Sequence, residues 1–468
     1  MEILQKNLMT RENIMIETVS NELTNFMYKW KEKGVPKEVT HEAKRLFLNQ
    51  LKASVGATKT EAIKILNEQT KENENLEKTS QIIWLGRQAD LESAAIVNGA
   101  LFEVLDFHDT YIPCYMHATS AVLPALMAVA EEREYSGLDF LESLALGMEV
   151  ELAIASILMP TAYYRGYVPA GLTGSVGAAA ACSILTNIGP EKTQNAISIA
   201  MCTSFGLYVS VGSMTLPYIT GATARSGLNA FQLAEKGFDG PATAFEGEKG
   251  MLVTHSDENK DKINKVLSSI GDKWKIFGQT YKTVPTETIT HGPIELILKV
   301  LDRSGGKEIK KIDFFVCPIV KEICDERMER FGLPSSELTA RFDLCFCAAA
   351  AWVRGKFTLE EMKEEAYKDD KILDLRNKIN LIPDQSRKTF EGCSIKVEYL
   401  DGSKDSDNVD YFLGSPQNQM TDNQLSNLFL QSSKGFINEK KVNIILQDLW
   451  GLEEEQNIKK FISQLKLN

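Results

Sequence analysis

Two segments in the first half of the chain are dominated by apolar and small residues. Gly137 to Pro160 reads GLDFLESLALGMEVELAIASILMP, and Ala170 to Leu185 reads AGLTGSVGAAAACSIL. A helix this apolar must be surrounded by other elements, and a helix rich in Gly and Ala lets neighbouring backbones approach closely. The segments therefore predict central helices of a large helical domain. We favour close packing over a phosphate loop for the second, because its glycines fit neither a Walker A nor a dinucleotide fingerprint.

The spacing of apolar residues changes from helical to strand-like along the chain and then becomes helical again. At 468 residues the chain is long enough for two domains, or three. From about Gly271, residues alternate as in strands, and Asp401-Gly402 predicts a hairpin turn. After about Asp422 the pattern is helical again. The alternating positions are Ile312, Phe314 and Val316 in one segment, and Ile395, Val397 and Tyr399 in another.

Charge and cysteine content exclude several classes of protein. The net charge of -12 argues against nucleic acid or an anionic membrane as the main partner. No apolar stretch reaches the roughly 20 residues that span a bilayer, and the N-terminus has no continuous apolar core of a signal peptide. The eight cysteines form no CxxC pair, so their spacing predicts no metal site. We expect a cytoplasmic protein with reduced thiols.

Two of the five histidines lie close together with two carboxylates. The segment from Asn98 to Ser120 reads NGALFEVLDFHDTYIPCYMHATS and contains Asp106, His108, Asp109 and His117. Histidine has the side-chain pKa nearest neutrality, so this cluster suits proton transfer. A polar loop that only caps two core helices would have the same residue types, and both interpretations stay open on the residues alone.

Motifs along nearly the whole chain resemble those of the MmgE/PrpD family. They include NGALFEVLDFHDT, HATSAVLPALMAVAEE, YRGYVPAGLTGSVGAAAA, GSMTLPYITGATARSGLNAFQLAEKGFDGP and ARFDLCFCAAAAWVRGKFTLEE, in family order. The resemblance implies a mainly α fold. A large all-helical domain would form from both chain ends (10–275 and 410–468), with a smaller α+β lid domain (276–409). It also implies a homodimer, no metal and no organic cofactor.

The resemblance carries over some catalytic positions of the family. Asp106 and Asp109 match aspartates of its DFDD motif, and His108 replaces the aspartate between them. His117 matches the histidine of its HPS motif. By this resemblance His117 is the principal acid or base and His108 a possible second one. Asp106 would orient an imidazole or act as a base, and Asp109 would support the loop.

Other family positions are replaced by apolar residues. Val168 and Ile219 stand at two family histidines, Leu216 at a family lysine, and Phe346 at a tyrosine of the decarboxylase-like members. Further candidates for the substrate pocket are Arg165, Tyr281 and Lys282. Because an unpaired carboxylate is costly to bury, we expect a substrate with fewer carboxylates than methylcitrate and a larger apolar part.

These observations predict a cofactor-independent lyase-type enzyme, similar to a dehydratase. It would abstract a proton next to a carboxylate or carbonyl of a small organic acid. An epimerase or double-bond isomerase is the close alternative, because those reactions need fewer charged groups. A different class also stays open: a dimeric scaffold or ligand-binding protein that keeps the fold without turnover.

Overall fold

The computed structural model of the protein describes residues 18–72, 79–257 and 260–467. These residues form 21 α-helices and six β-strands, so the predicted mainly α fold is confirmed. The helices are α1 (Val19–Lys33), α2 (Lys37–Ser54), α3 (Glu61–Gln69), α4 (Leu91–Glu103), α5 (Ala118–Glu132), α6 (Gly137–Leu158), α7 (Thr161–Tyr164), α8 (Pro169–Thr186), α9 (Pro190–Cys202), α10 (Thr215–Glu235), α11 (Met251–His255), α12 (Lys260–Leu267), α13 (His291–Arg303), α14 (Pro318–Phe331), α15 (Glu337–Ala340), α16 (Leu344–Arg354), α17 (Glu364–Tyr367), α18 (Asp370–Arg376), α19 (Asp422–Ser433), α20 (Glu439–Trp450) and α21 (Ile458–Ile462). The strands are β1 (Thr79–Ile82), β2 (Arg87–Asp90), β3 (Ile309–Val316), β4 (Ile379–Pro383), β5 (Cys393–Tyr399) and β6 (Lys404–Val409).

Helices α6 and α8 pack directly against each other, as the two apolar segments predict. A Cβ atom on Gly147 of α6 would lie 2.5 Å from the Cβ of Ala181 and 2.8 Å from the carbonyl oxygen of Gly177. Both distances are too short for a real side chain, so glycine is required at this crossing. The close-packing interpretation of the Gly- and Ala-rich segment is confirmed.

One helix among the described residues is long and apolar enough to cross a membrane by length and composition alone. This helix is α8, and 94% of it is buried inside the protein. Buried core helices pass the same test as membrane spans, so the finding is weak evidence for a membrane.

The C-terminal part of the chain contains a four-stranded mixed sheet in the order β4-β3-β5-β6. Strand β3 is parallel to β4 and antiparallel to β5, and β5 is antiparallel to β6. The alternating residues Ile312, Phe314 and Val316 are all buried. The predicted hairpin joins β5 to β6, where Gly402 has a φ of +85°. The strand and hairpin predictions are confirmed.

The prediction of an all-helical larger domain is wrong at one place. Strands β1 and β2 form an antiparallel hairpin within that part of the chain. Its turn holds Trp84 and Gly86 at φ values of 66° and 70°. The buried carboxylate of Glu131 accepts hydrogen bonds from the Ser80 hydroxyl (2.6 Å) and the Gln81 amide (2.7 Å). Side chains of neighbouring helices thus stabilise strands too short to show a clear alternation.

The buried apolar residues fall into two clusters. The larger cluster draws on α1 to α12 and on α19 to α21, and the smaller one on residues 289–412. The division into domains at 10–275, 276–409 and 410–468 stays a prediction.

The connection that follows α4 contains residues of the candidate site and pairs with a segment distant in sequence. Residues 104–117 cross the segment near residue 280, and Thr110 and Thr280 exchange backbone hydrogen bonds of 3.0 and 2.8 Å. This pairing brings Lys282, which directly follows Tyr281 of the larger cluster, next to Asp106.

Candidate active site

A cavity of about 990 Å³, including its open mouth, lies where the two apolar clusters meet. One part of its lining is polar and another part is aromatic. The aromatic part is a chain of ring contacts: Tyr115 stacks on Phe390 and contacts Tyr163, which contacts Tyr208. The polar lining includes Glu103, Asp106, Thr110, His117, Lys282 and Arg341.

Lys282 and Asp106 form an ion pair within the cavity lining. The Lys282 ammonium contacts the Asp106 carboxylate and also donates to its backbone carbonyl at 3.0 Å. The side chains are only 1% and 13% exposed. Asp106 has a φ of 51°, a left-handed conformation that Asp tolerates better than most residues. Because a buried charge is costly unless it is paired, each group holds the other in place.

His117 lies at the N-terminus of α5 and lines the cavity. Its Nδ1 atom is 3.0 Å from the Asp109 carbonyl oxygen and 3.3 Å from the Thr110 hydroxyl. A carbonyl only accepts hydrogen bonds, so the neutral ring has its proton on Nδ1 and its lone pair on Nε2. Burial, and then the nearby Lys282 ammonium, lowers the pKa of His117 to about 4. The imidazole is therefore neutral at neutral pH and able to accept a proton.

His108 is fully buried beneath His117, and the ring centroids are 4.2 Å apart in an edge-to-face arrangement. Its Nε2 atom lies 3.6 Å from Glu103 Oε2 and 3.7 Å from Asp106 Oδ1. Burial, and then His117, holds the pKa of His108 well below its usual value. Burial also raises the pKa of Glu103 to about 8. One possible ligand atom from each of Glu103, His108 and His117 lies within 4.8 Å of the other two. These three residues could therefore hold a metal ion.

Asp109 lies behind this cluster and supports it. Its buried carboxylate accepts hydrogen bonds from the Gln50 amide (2.8 Å) and the Thr119 hydroxyl (2.9 Å). Burial raises its pKa. The backbone carbonyl of Asp109, and not its side chain, contacts His117. The role of Asp109 in supporting the loop stays a prediction.

Three of the seven residues predicted to bind substrate line the cavity: Val168, Leu216 and Lys282. Arg165 instead lies at the surface, where it pairs with Asp257 at 2.6 Å. Ile219 is one turn beyond Leu216 on α10 and packs into the core near Gly171. Their placement in the pocket is therefore wrong.

Tyr281 and Phe346 also lie away from the cavity. Tyr281 directly precedes Lys282, but its hydroxyl donates to buried Glu42 instead of lining the cavity. Phe346 lies in the first turn of α16 and is fully buried in the smaller apolar cluster. The prediction that these two residues line the pocket is wrong.

Sequence reasoning missed Glu103 and Arg341. Glu103 lies three residues before Asp106 at the end of an apolar run, and a lone carboxylate there is a signal that could have been used. Arg341 comes from the distant C-terminal part, and its guanidinium donates to the Val104 carbonyl. No spacing in the sequence links those positions. The tyrosines of the aromatic part likewise come from separate segments.

Comparisons with known proteins agree with these motifs. The MmgE/PrpD N-terminal domain matches residues 21–264, and the MmgE/PrpD C-terminal domain matches residues 284–452. The human cis-aconitate decarboxylase is 24% identical, over 97% of this chain and 95% of its own length. The mouse cis-aconitate decarboxylase is 23% identical, over 94% and 92%. A cis-aconitate decarboxylase-like protein of Aspergillus oryzae is 23% identical, over 95% and 96%.

Proposed function

Because the chain belongs to the MmgE/PrpD family, we propose that it is a lyase-type enzyme that requires no cofactor. Its reaction removes a proton from a carbon next to a carboxylate or carbonyl of a small organic acid, with elimination of water as the leading reaction. The decarboxylases among its relatives support lyase chemistry. One observation carries the proposal: His117 and the Lys282–Asp106 pair line the same cavity.

His117 is the base of this proposal. Its Nδ1–H is held by the Asp109 carbonyl, so Nε2 is the atom that takes the proton. A neutral imidazole is needed for that step, and burial keeps the ring neutral. A substrate carboxylate bound next to the ring raises the pKa of the imidazole again and strengthens it as a base.

Lys282 binds the carboxylate or carbonyl beside the reacting carbon. When the proton leaves, negative charge builds up on that oxygen, and a fixed ammonium stabilises it. Asp106 holds the ammonium in position. Arg341 lines the same cavity and supplies a second fixed positive charge.

The bonds and protons of the elimination balance with His117 as the only group that gives and takes a proton. The C–H electron pair forms the new double bond while the bond from the neighbouring carbon to its hydroxyl breaks. The imidazolium formed on His117 gives its proton to the departing hydroxyl, which leaves as water. His117 is then neutral again, and the enzyme is ready for another cycle.

The apolar part of the lining supports a substrate with fewer carboxylates than methylcitrate. Val168 and Leu216 supply no charge to pair with a further carboxylate, and an unpaired anion would lose its hydration there. The aromatic chain from Phe390 to Tyr208 offers contact to an apolar group. Burial of one such group contributes about 1.5–3 kcal/mol.

Two alternatives give different results in one experiment. The protein is incubated in deuterated water with hydroxy acids of different apolar content, and products are followed by NMR. A dehydratase gives an alkene, whereas an epimerase gives deuterium exchange with inverted stereochemistry. His117→Ala should slow either reaction by about 10²–10⁴-fold. His41→Ala, at a half-exposed histidine paired with Asp422, is the matched control. A scaffold protein would show no turnover, and its ligand affinity would be the same in both variants.

Assembly and location form a separate part of the proposal. The family resemblance supports a homodimer, and a cytoplasmic location stays a prediction. Light scattering at micromolar concentration tests the dimer, and a stable monomer would contradict it.

A further inference from the structure

His108 is a buried imidazole that lacks the contacts such a ring normally has. Within the described part of the chain, neither of its ring nitrogens makes a hydrogen bond of normal geometry, and neither does Glu103 Oε2 beside it. The backbone of Phe102 approaches the ring closely enough to oppose the lowering of the His108 pKa by burial, but not in normal hydrogen-bond geometry. A buried polar group without a partner is costly. These atoms therefore point to a ligand that would satisfy them.

The three candidate ligand atoms converge on one point. Those of Glu103, His108 and His117 lie within 4.8 Å of one another, and the pair from Glu103 and His108 is 3.6 Å apart. Bonds of 2.0–2.1 Å to a tetrahedral zinc ion place ligand atoms somewhat over 3 Å apart. Small side-chain movements would close the set around one ion.

The tautomer of His117 is the one that a metal ligand needs. Histidines that bind metals usually donate their other ring N–H to a carbonyl or carboxylate, which fixes the ring. His117 makes this contact from Nδ1 to the Asp109 carbonyl at 3.0 Å, so Nε2 is free to bind an ion.

The buried cations near the site each contact an oxygen atom, which offsets part of their repulsion of a metal ion. Lys282 is paired with Asp106, and Arg341 donates to the Val104 carbonyl. Lys52, the other buried cation nearby, donates to the Lys282 carbonyl at 2.7 Å.

We propose that Glu103, His108 and His117 form a binding site for a divalent transition-metal ion of the zinc type. Two imidazoles and one carboxylate form a ligand set that leaves the fourth position of a tetrahedral zinc ion open. Glu103 and His117 both line the cavity, so an ion can reach the site from there. The sequence predicts no metal site, since the three residues have no recognised spacing.

The bound ion would inhibit the enzyme, and this consequence rests on the proposed function. Nε2 of His117 has one lone pair, which binds either the metal ion or the substrate proton. The metal-bound form is therefore inactive, and removal of the ion restores the base. The site would couple activity to the concentration of free zinc.

The binding test uses the full chain, freed of metal with a chelator, and titrated with Co²⁺ and Zn²⁺ in the absence of substrate. Calorimetry gives the stoichiometry, and the visible absorption of Co²⁺ reports four-coordinate nitrogen and oxygen ligands. We expect one ion per chain. His108→Asn and Glu103→Gln should each weaken binding at least about tenfold, the lower end of what loss of an outer contact costs at metal sites. His41→Asn should bind as the wild type does.

Circular dichroism and thermal unfolding confirm that the variants are folded. Equal metal affinity in wild type, His108→Asn and Glu103→Gln would overturn the site, and so would the absence of saturable binding to the wild type. Inhibition is tested separately, by adding Zn²⁺ during turnover and reversing it with chelator. Turnover that is insensitive to bound Zn²⁺ overturns the inhibitory role. Metal binding does not depend on turnover, so failure of the proposed function and failure of the site give different results.

Discussion

Glu149→Gln should change how the stability of the protein depends on pH. Glu149 lies on α6 and is fully buried. Its Oε1 accepts a hydrogen bond from the Ile276 amide at 2.8 Å, and its Oε2 has no partner among the described residues. This contact holds the segment that leads to Lys282. Burial raises the pKa of Glu149 from 4.5 to about 7, and Lys275 opposes the shift.

The sign and the size of the effect follow from that shift. The folded state binds the proton more tightly than the unfolded state, so the stabilising contribution is fully present below pH 4.5. It is lost as the pH rises towards 7. A shift of about 2.5 pKa units corresponds to about 3 kcal/mol, at 1.36 kcal/mol per unit. Glutamine resembles the protonated acid at every pH. The variant should therefore match the wild type at low pH and exceed its stability by up to about 3 kcal/mol at pH 8.

Urea denaturation of both proteins between pH 5 and pH 8 measures this difference. All other groups titrate in both proteins, so their contributions cancel in the difference. Glu329→Gln, at an exposed glutamate on α14, is the control and should give a difference near zero. A stability difference between wild type and Glu149→Gln that is the same at every pH would refute the reasoning.

Three further predictions concern the cavity and the core. Lys282→Met should lower kcat by about 10²–10³-fold, as loss of a group that stabilises an oxyanion does, while the exposed control Lys299→Met should not; equal kcat values would contradict the role of Lys282. Leu216→Lys adds a cation to the apolar lining, so in steady-state assays the KM for dicarboxylates should fall relative to the KM for monocarboxylates. An unchanged ratio of the two KM values would contradict the proposed role of the apolar lining. Gly221→Ala places a Cβ 2.0 Å from the Ile96 carbonyl oxygen, so it should destabilise the fold by at least about 1–3 kcal/mol in thermal unfolding; an unchanged Tm would contradict this packing.

Much of the fold could be predicted because its patterns are local. Helices α6 and α8 follow from long runs of apolar and small residues, and β3 follows from strict alternation. The hairpin of β1 and β2 could not be predicted in the same way. Its strands have four residues each, and buried side chains on other helices, such as Glu131, satisfy their polar groups.

The candidate site was predictable where its residues are close in sequence. Asp106 and His117 lie in one segment of the chain, and both line the cavity. Arg341 and Lys282 come from elsewhere, and only the fold places them beside Asp106. Of two neighbours in sequence, Lys282 lines the cavity, whereas the side chain of Tyr281 contacts Glu42 away from it.

The central claim is that His117 moves a proton at carbon on a substrate with few carboxylates. The most direct measurement compares wild type and His117→Ala against a panel of small tricarboxylates, monocarboxylates and neutral carbonyl compounds, with deuterium exchange at carbon and product formation followed by NMR. We predict turnover of an acid with fewer carboxylates and an apolar part, and a loss of about 10²–10⁴-fold in the variant. Efficient turnover of methylcitrate or cis-aconitate would contradict the substrate proposal, and undiminished turnover by His117→Ala would contradict the role of His117.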